Sequence, residues 1–373
     1  MARVLFYVQH LLGIGHLTRA SLIAKALRDA GMEVTIVSGG MPVAGFPGPG
    51  IGLVQLPPVH SPADFSGLMD EHGNRVDEAF RAMRRGRLLA AFADARPDAL
   101  IVEAYPFARR HLRFELGPLL AAARAARPRP LVVSSVRDIV QRVAKPESVD
   151  FIIDTVKSRF DLVLVHGDER FARISDSFPE AREFEDRIVH TGLVAGPAAT
   201  SADRFAVVVS AGGGAVGGAL AFAAVEARPL TRYADEPWLV VTGPNARDDT
   251  VAGLRRMAPK GVTIERFRSD FPGLIANASL SISQAGYNTV CDILRGGCRA
   301  VLVPFAAGGE TEQSERAEKL EKLRRVAVAA EAGLDATTLA AAIESAPDPR
   351  DVPVDLQGAE NSARIIGKRL KIM

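Results

Sequence analysis

"RVLFYVQHLLGIGHLTRASLIAKAL" (Arg3–Leu27) decides how the rest of the chain is read. Val4–Val8 is an unbroken apolar run, the pattern of a strand buried on both faces, and from Ala20 to Ala30 apolar side chains recur at helical spacing. Between them stand Gly13, Gly15 and His16. A glycine-rich turn from strand to helix presents backbone N–H groups at a helix N-terminus and so favours an anion. A dinucleotide fingerprint needs a third glycine where Thr18 stands, and it needs a carboxylate after the second strand, which here ends "TIVSGG" with Ser38, Gly39 and Gly40. None of the glycine-rich turns is followed by the Lys-Ser/Thr of a phosphate-binding loop. The turn is thus an anion site built for something other than NAD.

Working outward, Val34–Val37, Ala99–Val102, Leu131–Ser134 and Leu162–Val165 read as further strands, with helices over Val76–Asp94 and Leu112–Ala126. That alternation is the βαβ pattern of a parallel sheet covered by helices. "LVAGPAATSADR" (Leu193–Arg204) then has the Ala, Gly, Pro and Ser content of a linker. After it the pattern restarts: "FAVVVSAGGGAVGGAL" is strand, glycine turn and helix, and "WLVVTG", "VTIERF", "LSISQAG" and "RAVLVPF" are strands. The expectation is an α/β chain of two Rossmann-like domains, 1–195 and 205–354, facing across a cleft. A terminal helix, 355–373, would cap the second domain or cross back onto the first.

A length of 373 residues with 47% hydrophobic content is ample for two cores. Lys+Arg 46 against Asp+Glu 44 leaves a net charge of +2, which argues against a dedicated nucleic-acid binder. Cys291 and Cys298 are too few for a disulfide framework, and the sequence shows neither a signal-peptide pattern nor an apolar stretch near the roughly 20 residues of a membrane span. A soluble, cytoplasmic protein is expected.

The second half carries most of the candidate ligand-binding residues. Gly212, Gly213 and Gly214 precede a helix, so their amides can approach an oxyanion closely; the plainer reading is a tight turn. In "SISQAGYNTVCDILRGG", Asn288 and Asp292 lie four apart on one helix face, behind Gln284 and Gly286 and beside Thr289. A carboxylate at 292 can accept from both hydroxyls of a ribose; otherwise it is a first-turn acid on the helix dipole. Glu312 and Gln313 open a charged helix after a small-residue loop, as sugar-hydroxyl readers or as a solvent-exposed Glu312–Arg316 pair.

Taken together, "GIGHLTRASLIAKALRDAGMEVTIVS", "VVVSAGGGAVG" and "SQAGYNTVCDILRGGCRAVLVPF…TEQ" resemble the GT-B glycosyltransferases of family 28, the MurG-like family of cell-envelope synthesis. A branch of predicted glycosyltransferases with "PFARRHLRFELGPLL" and "SSVRDI" segments resembles the chain more closely still. The resemblance implies a nucleotide sugar, UDP-linked, held by the C-terminal domain. Gly286 and the helix behind it would face the diphosphate, Asp292 the ribose, Glu312 and Gln313 the sugar, and Phe267 the base, with Gly212–Gly214, Thr242, Gln284, Asn288 and Thr289 completing the donor side. Asp292 replaces the family's glutamate, and Glu312 the first of its two glutamines. The acceptor would meet Gly13, Gly15 and His16.

The chemistry expected is inverting transfer of a sugar, an N-acetylhexosamine by family likeness, to a hydroxyl. No metal and no cofactor is expected: the sequence has no Asp-x-Asp, and two amide-rich turns can hold the leaving diphosphate. His16 and Asp138 are the candidate bases, Glu103 a weaker third. Asp138 could equally orient His16, bind the acceptor or cap a helix. Arginines at 109, 110, 113, 124, 127 and 129 around "FELGPLLAAA" suit a helix on anionic lipid, and hence peripheral contact with the inner membrane face and a lipid-linked or polysaccharide acceptor. They equally suit a buried helix with snorkelling arginines. A UDP-sugar hydrolase or non-hydrolysing epimerase on the same architecture would share the donor block.

Overall fold

The computed structural model describes residues 1–11, 13–61, 67–143, 145–213, 217–306 and 310–372. The chain divides into two compact units, Met1–Val194 with Val354–Met373, and Ala195–Pro353.

In the first unit the strands are β1 (Arg3–Val8), β2 (Glu33–Ser38), β3 (Gly52–Gln55), a small antiparallel pair β4 (Val59–His60) and β5 (Met69–Asp70), then β6 (Ala99–Glu103), β7 (Leu131–Arg137), β8 (Leu162–His166) and β9 (Ile188–His190). Seven of them form a parallel sheet in the order β3-β2-β1-β6-β7-β8-β9. Its helices are α1 (Gly15–Asp29), α2 (Glu78–Ala95), α3 (Arg113–Ala125), α4 (Pro146–Arg159) and α5 (Ile174–Ser177). Val4–Val8 is buried throughout, which is why β1 reads as a continuous apolar run. Helix α1 starts at Gly15, before the apolar periodicity becomes legible at Ala20, so His16 lies in its first turn.

The second unit repeats the plan with β10 (Val207–Ser210), β11 (Trp238–Val241), β12 (Val262–Glu265), β13 (Leu280–Ser283), β14 (Arg299–Leu302) and β15 (Ala327–Val328), in the parallel order β12-β11-β10-β13-β14-β15. Around it lie α6 (Gly218–Ala227), α7 (Asp248–Met257), α8 (Phe271–Asn277), α9 (Tyr287–Gly296), α10 (Glu312–Lys322) and α11 (Ala336–Ser345). Trp238 is fully buried in its core, and its indole N–H donates to the Tyr233 carbonyl at 2.9 Å.

In each sheet the strand order reverses beside the first strand, between β1 and β6 and between β10 and β13. Such reversals open a crevice at the strands' carboxyl ends, where ligands of α/β sheets bind.

Helix α12 (Gly358–Arg369) packs on α1, in the first unit. The returning chain is stitched to the strand that left: Leu193 donates to the Asp355 carbonyl at 2.7 Å, Gly358 to the Leu193 carbonyl at 2.9 Å, and Asn361 to the Thr191 carbonyl at 2.8 Å. Within the composition-soft segment, Ser201 bonds Asp270 at 2.6 Å, Asn277 bonds the Ser201 carbonyl at 2.9 Å and Arg268 pairs with Asp203 at 2.6 Å, so residues 201–203 lie fastened to α8 and the turn before it.

The arginine-rich helix α3 turns Leu116, Leu119, Leu120 and Ala123 into the core. Arg124 and Arg129 pair with Asp161. Among the described residues no helix is long and apolar enough to cross a membrane.

Candidate active site

At the β1/β6 reversal, the first turn of α1 meets the end of β6. His16 Nδ1 lies 2.6 Å from Glu103 Oε1, and Arg19, one turn along α1 on the same face, pairs with that carboxylate too. Glu103 is 1% exposed and His16 18%, so the carboxylate is enclosed while the imidazole keeps an open edge. The chain turns sharply straight after Glu103: Ala104 takes a φ of +62°, a strained conformation for a residue with a Cβ, and its N–H donates to the Ser135 carbonyl at 2.8 Å.

Burial pushes the His16 imidazolium down to about 3; Glu103 opposes that shift, and the Arg109 and Arg137 charges reinforce it. Burial alone would raise Glu103, but His16, Arg19 and Arg109 hold it at about 2. At neutral pH the pair is therefore a neutral imidazole and an ionised carboxylate. Nδ1–H donates to Glu103, and Nε2 is left as a proton acceptor.

A second buried network braces the turn. Arg84 of α2, fully buried, donates to Glu115 Oε2 at 2.7 Å, Gln9 Oε1 at 2.7 Å and the Gly39 carbonyl at 2.8 Å. The Tyr7 hydroxyl donates to Glu115 Oε1 at 2.5 Å, and Gln9 donates to the His10 carbonyl at 2.6 Å. Burial, with Glu115 beside it, holds the Tyr7 hydroxyl protonated. Tyr7, Gln9, Arg84 and Glu115 were not singled out from sequence. The signal was present: Arg84, Leu88 and Phe92 form one stripe of α2, as do Arg19, Ile23 and Leu27 of α1, so each arginine interrupts a core-facing row.

Of the bases expected from sequence, Glu103 is the one joined to His16. Asp138 follows β7, fully buried, where a Cβ on Gly167 would come within 2.7 Å of its own Cβ. A Cβ on Gly13 would meet open space, so the fold leaves room there that it does not itself fill.

At the β10/β13 reversal, Gly212 and Gly217 have φ of +67° and +98° and pack on the Gln284 side chain; a Cβ would come within 2.7 Å of Gln284 Oε1 and 3.1 Å of Nε2 respectively. These two glycines are demanded by the fold. Gly214 lies outside the described residues, and the Gly213 carbonyl accepts from Asn245 at 3.3 Å. Gly286 caps α9 with ordinary extended backbone, φ −63°, and a Cβ on it would meet open space. Asn288, Thr289 and Asp292 follow on α9, each partly buried. Burial alone pushes the Asp292 carboxyl up to about 7, with no charged group contributing. Phe267, just past β12, is 57% exposed. Thr242 is buried, donates to the Glu265 carbonyl at 3.3 Å, and with Ala211, Gly218, Arg247 and Thr250 lines a cavity of about 200 Å³.

The Glu312 carboxylate pairs with Arg316 at 2.8 Å, and that pair is enclosed rather than solvent-exposed, Arg316 being 0% accessible. Gln313 Oε1 accepts from the Phe305 N–H at 3.1 Å and so holds the end of the β14 loop.

The paired sheets, each with its reversal crevice, define the GT-B architecture of two Rossmann-like domains. Solved structures share it along the whole chain. The calicheamicin glycosyltransferase CalG4 matches with TM-score 0.59 at 17% identity, covering 99% of this chain and 93% of its own. Acinetobacter baumannii MurG matches with TM-score 0.61 at 14% identity, covering 100% of both chains. The spinosyn forosaminyltransferase SpnP matches with TM-score 0.62 at 15% identity, covering 99% and 95%. Curated proteins supply no match to the sequence. Residues 212–365 match the model of the glycosyltransferase family 28 C-terminal domain, a stretch that runs from the glycine turn into α12. On that match the chain is an enzyme of the glycosyltransferase type, similar to the MurG-like family 28.

Proposed function

We propose that the protein is an inverting, metal-independent glycosyltransferase that moves a sugar, an N-acetylhexosamine by family likeness, from a UDP-sugar to a hydroxyl acceptor. The observation that carries this reading is the His16–Glu103 pair at the β1/β6 reversal. A single displacement at the anomeric carbon needs one base. The acceptor oxygen forms its bond to that carbon as the bond to the diphosphate breaks, and the acceptor proton passes to His16 Nε2. Glu103 then faces an imidazolium, whose charge it stabilises. Arg19 keeps the carboxylate ionised and fixed while it does so.

The donor belongs, on this reading, to the second unit. The half-positive N-terminus of α9 at Gly286 supports the diphosphate, Asp292 accepts from the ribose hydroxyls, and the exposed Phe267 ring offers a face to the base. Gln313 and the loop it holds are the candidates for the sugar. A thermal-shift series with UDP-, GDP- and TDP-sugars tests the assignment, because a specific ligand raises the melting point by mass action. UDP-sugars should give the largest rise. A rise with GDP-sugars alone would overturn the base assignment, and no rise with any would overturn the donor reading.

A further inference from the structure

We propose that Glu312 and Arg316 are a buried latch that sets the diphosphate-binding turn, and that Arg316 is a positioning residue for the nucleotide-sugar donor; this rests on the donor reading above. Arg316 lies on α10, fully enclosed, and besides its pair with Glu312 it reaches another element. Its Nη1 donates to the Ala285 carbonyl at 3.0 Å, and its guanidinium carbon sits 5.6 Å from the centre of the Tyr287 ring. Those two contacts bracket Gly286, the residue that caps α9. In a planar trans peptide the carbonyl and the following N–H point in opposite directions. Pinning the Ala285 oxygen on Arg316 therefore aims the Gly286 N–H away from α10.

The latch extends further. Gln284, next in the same turn, is 6% exposed and fills the space that Gly212 and Gly217 leave, so the β13–α9 turn, the glycine turn and α10 are held in one arrangement. A buried guanidinium without a counter-charge would be strongly destabilising, and Glu312 supplies that charge at 2.8 Å from one helical turn away. This gives a reason for an acid at the position where the family pattern has an amide. The carboxylate serves Arg316, and Arg316 serves the turn.

The test is calorimetry with two probes, UDP and uridine, on the full chain. Removing both charges together in Glu312→Leu/Arg316→Met leaves no lone buried ion. UDP should then bind about tenfold or more weakly, while uridine, which has no phosphate to feel the turn, changes less than about twofold. Equal weakening of both probes, or unchanged UDP binding, would overturn the latch. Should the double variant fail to fold, Arg316→Lys gives the same split on a smaller scale: the charge stays, the fork to Ala285 is lost, and UDP alone should weaken. Unchanged UDP binding by that variant overturns the latch as well. If the unaltered protein binds uridine but gains nothing from the diphosphate, the latch is wrong and the nucleoside part of the donor reading stands. Binding of neither probe by the unaltered protein strikes the donor reading itself.

Discussion

The two reversal crevices answer the same topological situation in opposite ways. At β1/β6 the acid is already engaged: Glu103 has His16 and Arg19 on it and is held at about 2. At β10/β13 the acid is held in reserve: Asp292 sits in a desolvating environment that lifts it to about 7, with no cation contributing. An acid with its charge already matched can stabilise a transient imidazolium without rearrangement. An acid kept short of partners gains most when a ligand supplies hydroxyls. The first arrangement suits a step in the chemistry, the second suits recognition.

The largest effect that could break this contrast is on turnover. His16→Ala should lower kcat by about 10²–10⁴-fold, the usual contribution of a general base, with UDP affinity unchanged in calorimetry. Glu103→Gln keeps the shape but removes the charge, and should fall in the same direction. Loss of UDP binding in either variant would mean that the β1/β6 crevice holds the donor. Next in size is Asp292→Ala, expected to weaken UDP by roughly 10–150-fold, as for a hydrogen bond to a charged group. An intact fold with unchanged UDP affinity would remove Asp292 from the site.

How much of this was legible in the sequence follows from which interactions are local. The central strands of both sheets could be read because strands covered on both faces are plain apolar runs; the edge strands β3 and β9, short and less buried, gave no such run. The glycine turns and His16 were legible because a turn's requirements lie within a few residues. The partner of His16 was not, since Glu103 is 87 residues away and arrives only through the strand order β1-β6. Glu312–Arg316 was visible as a helical pair, but its enclosure depends on α9 packing and is invisible to spacing. The leucines of α3 have the same periodicity whether they face lipid or core, and only tertiary structure decides between them.

A smaller effect, set by pH, separates the two acids without mutation. His16 is lowered to about 3, so the base is neutral throughout pH 5 to 8 and kcat at saturating donor should show no acidic limb there. Asp292, raised to about 7, is protonated below that value when no ligand is bound, and the ionised form is the one that accepts from two hydroxyls. UDP affinity should rise with pH by up to about tenfold per unit below 7 and level off above it. Stability moves the other way. A carboxyl raised above its unfolded value, near 3.9, contributes fully below that value and loses its contribution as pH rises through 7. The ligand-free protein should therefore melt lower at pH 8 than at pH 6, and UDP should narrow the gap. Parallel pH profiles for kcat and UDP affinity would dissolve the distinction between the crevices.

The smallest expected effect is none at all. If the donor diphosphate is held by the N-terminus of α9, about half a positive charge and a set of backbone N–H groups already oppose it. Backbone donors aimed at the leaving oxygens need no reorganisation as charge develops, so they can do the work that a cation does where an Asp-x-Asp carries one. The Ala285 carbonyl, turned onto Arg316, fixes the orientation of the Gly286 N–H within that set. EDTA should leave both UDP affinity and initial rate unchanged, and added magnesium should not raise either. Activity lost to EDTA and restored by magnesium would show that the amides do not suffice. The divalent ion would then have to lie with the diphosphate, and Asp292, the partly buried acid on the same helix as Gly286, would be the first candidate to hold it.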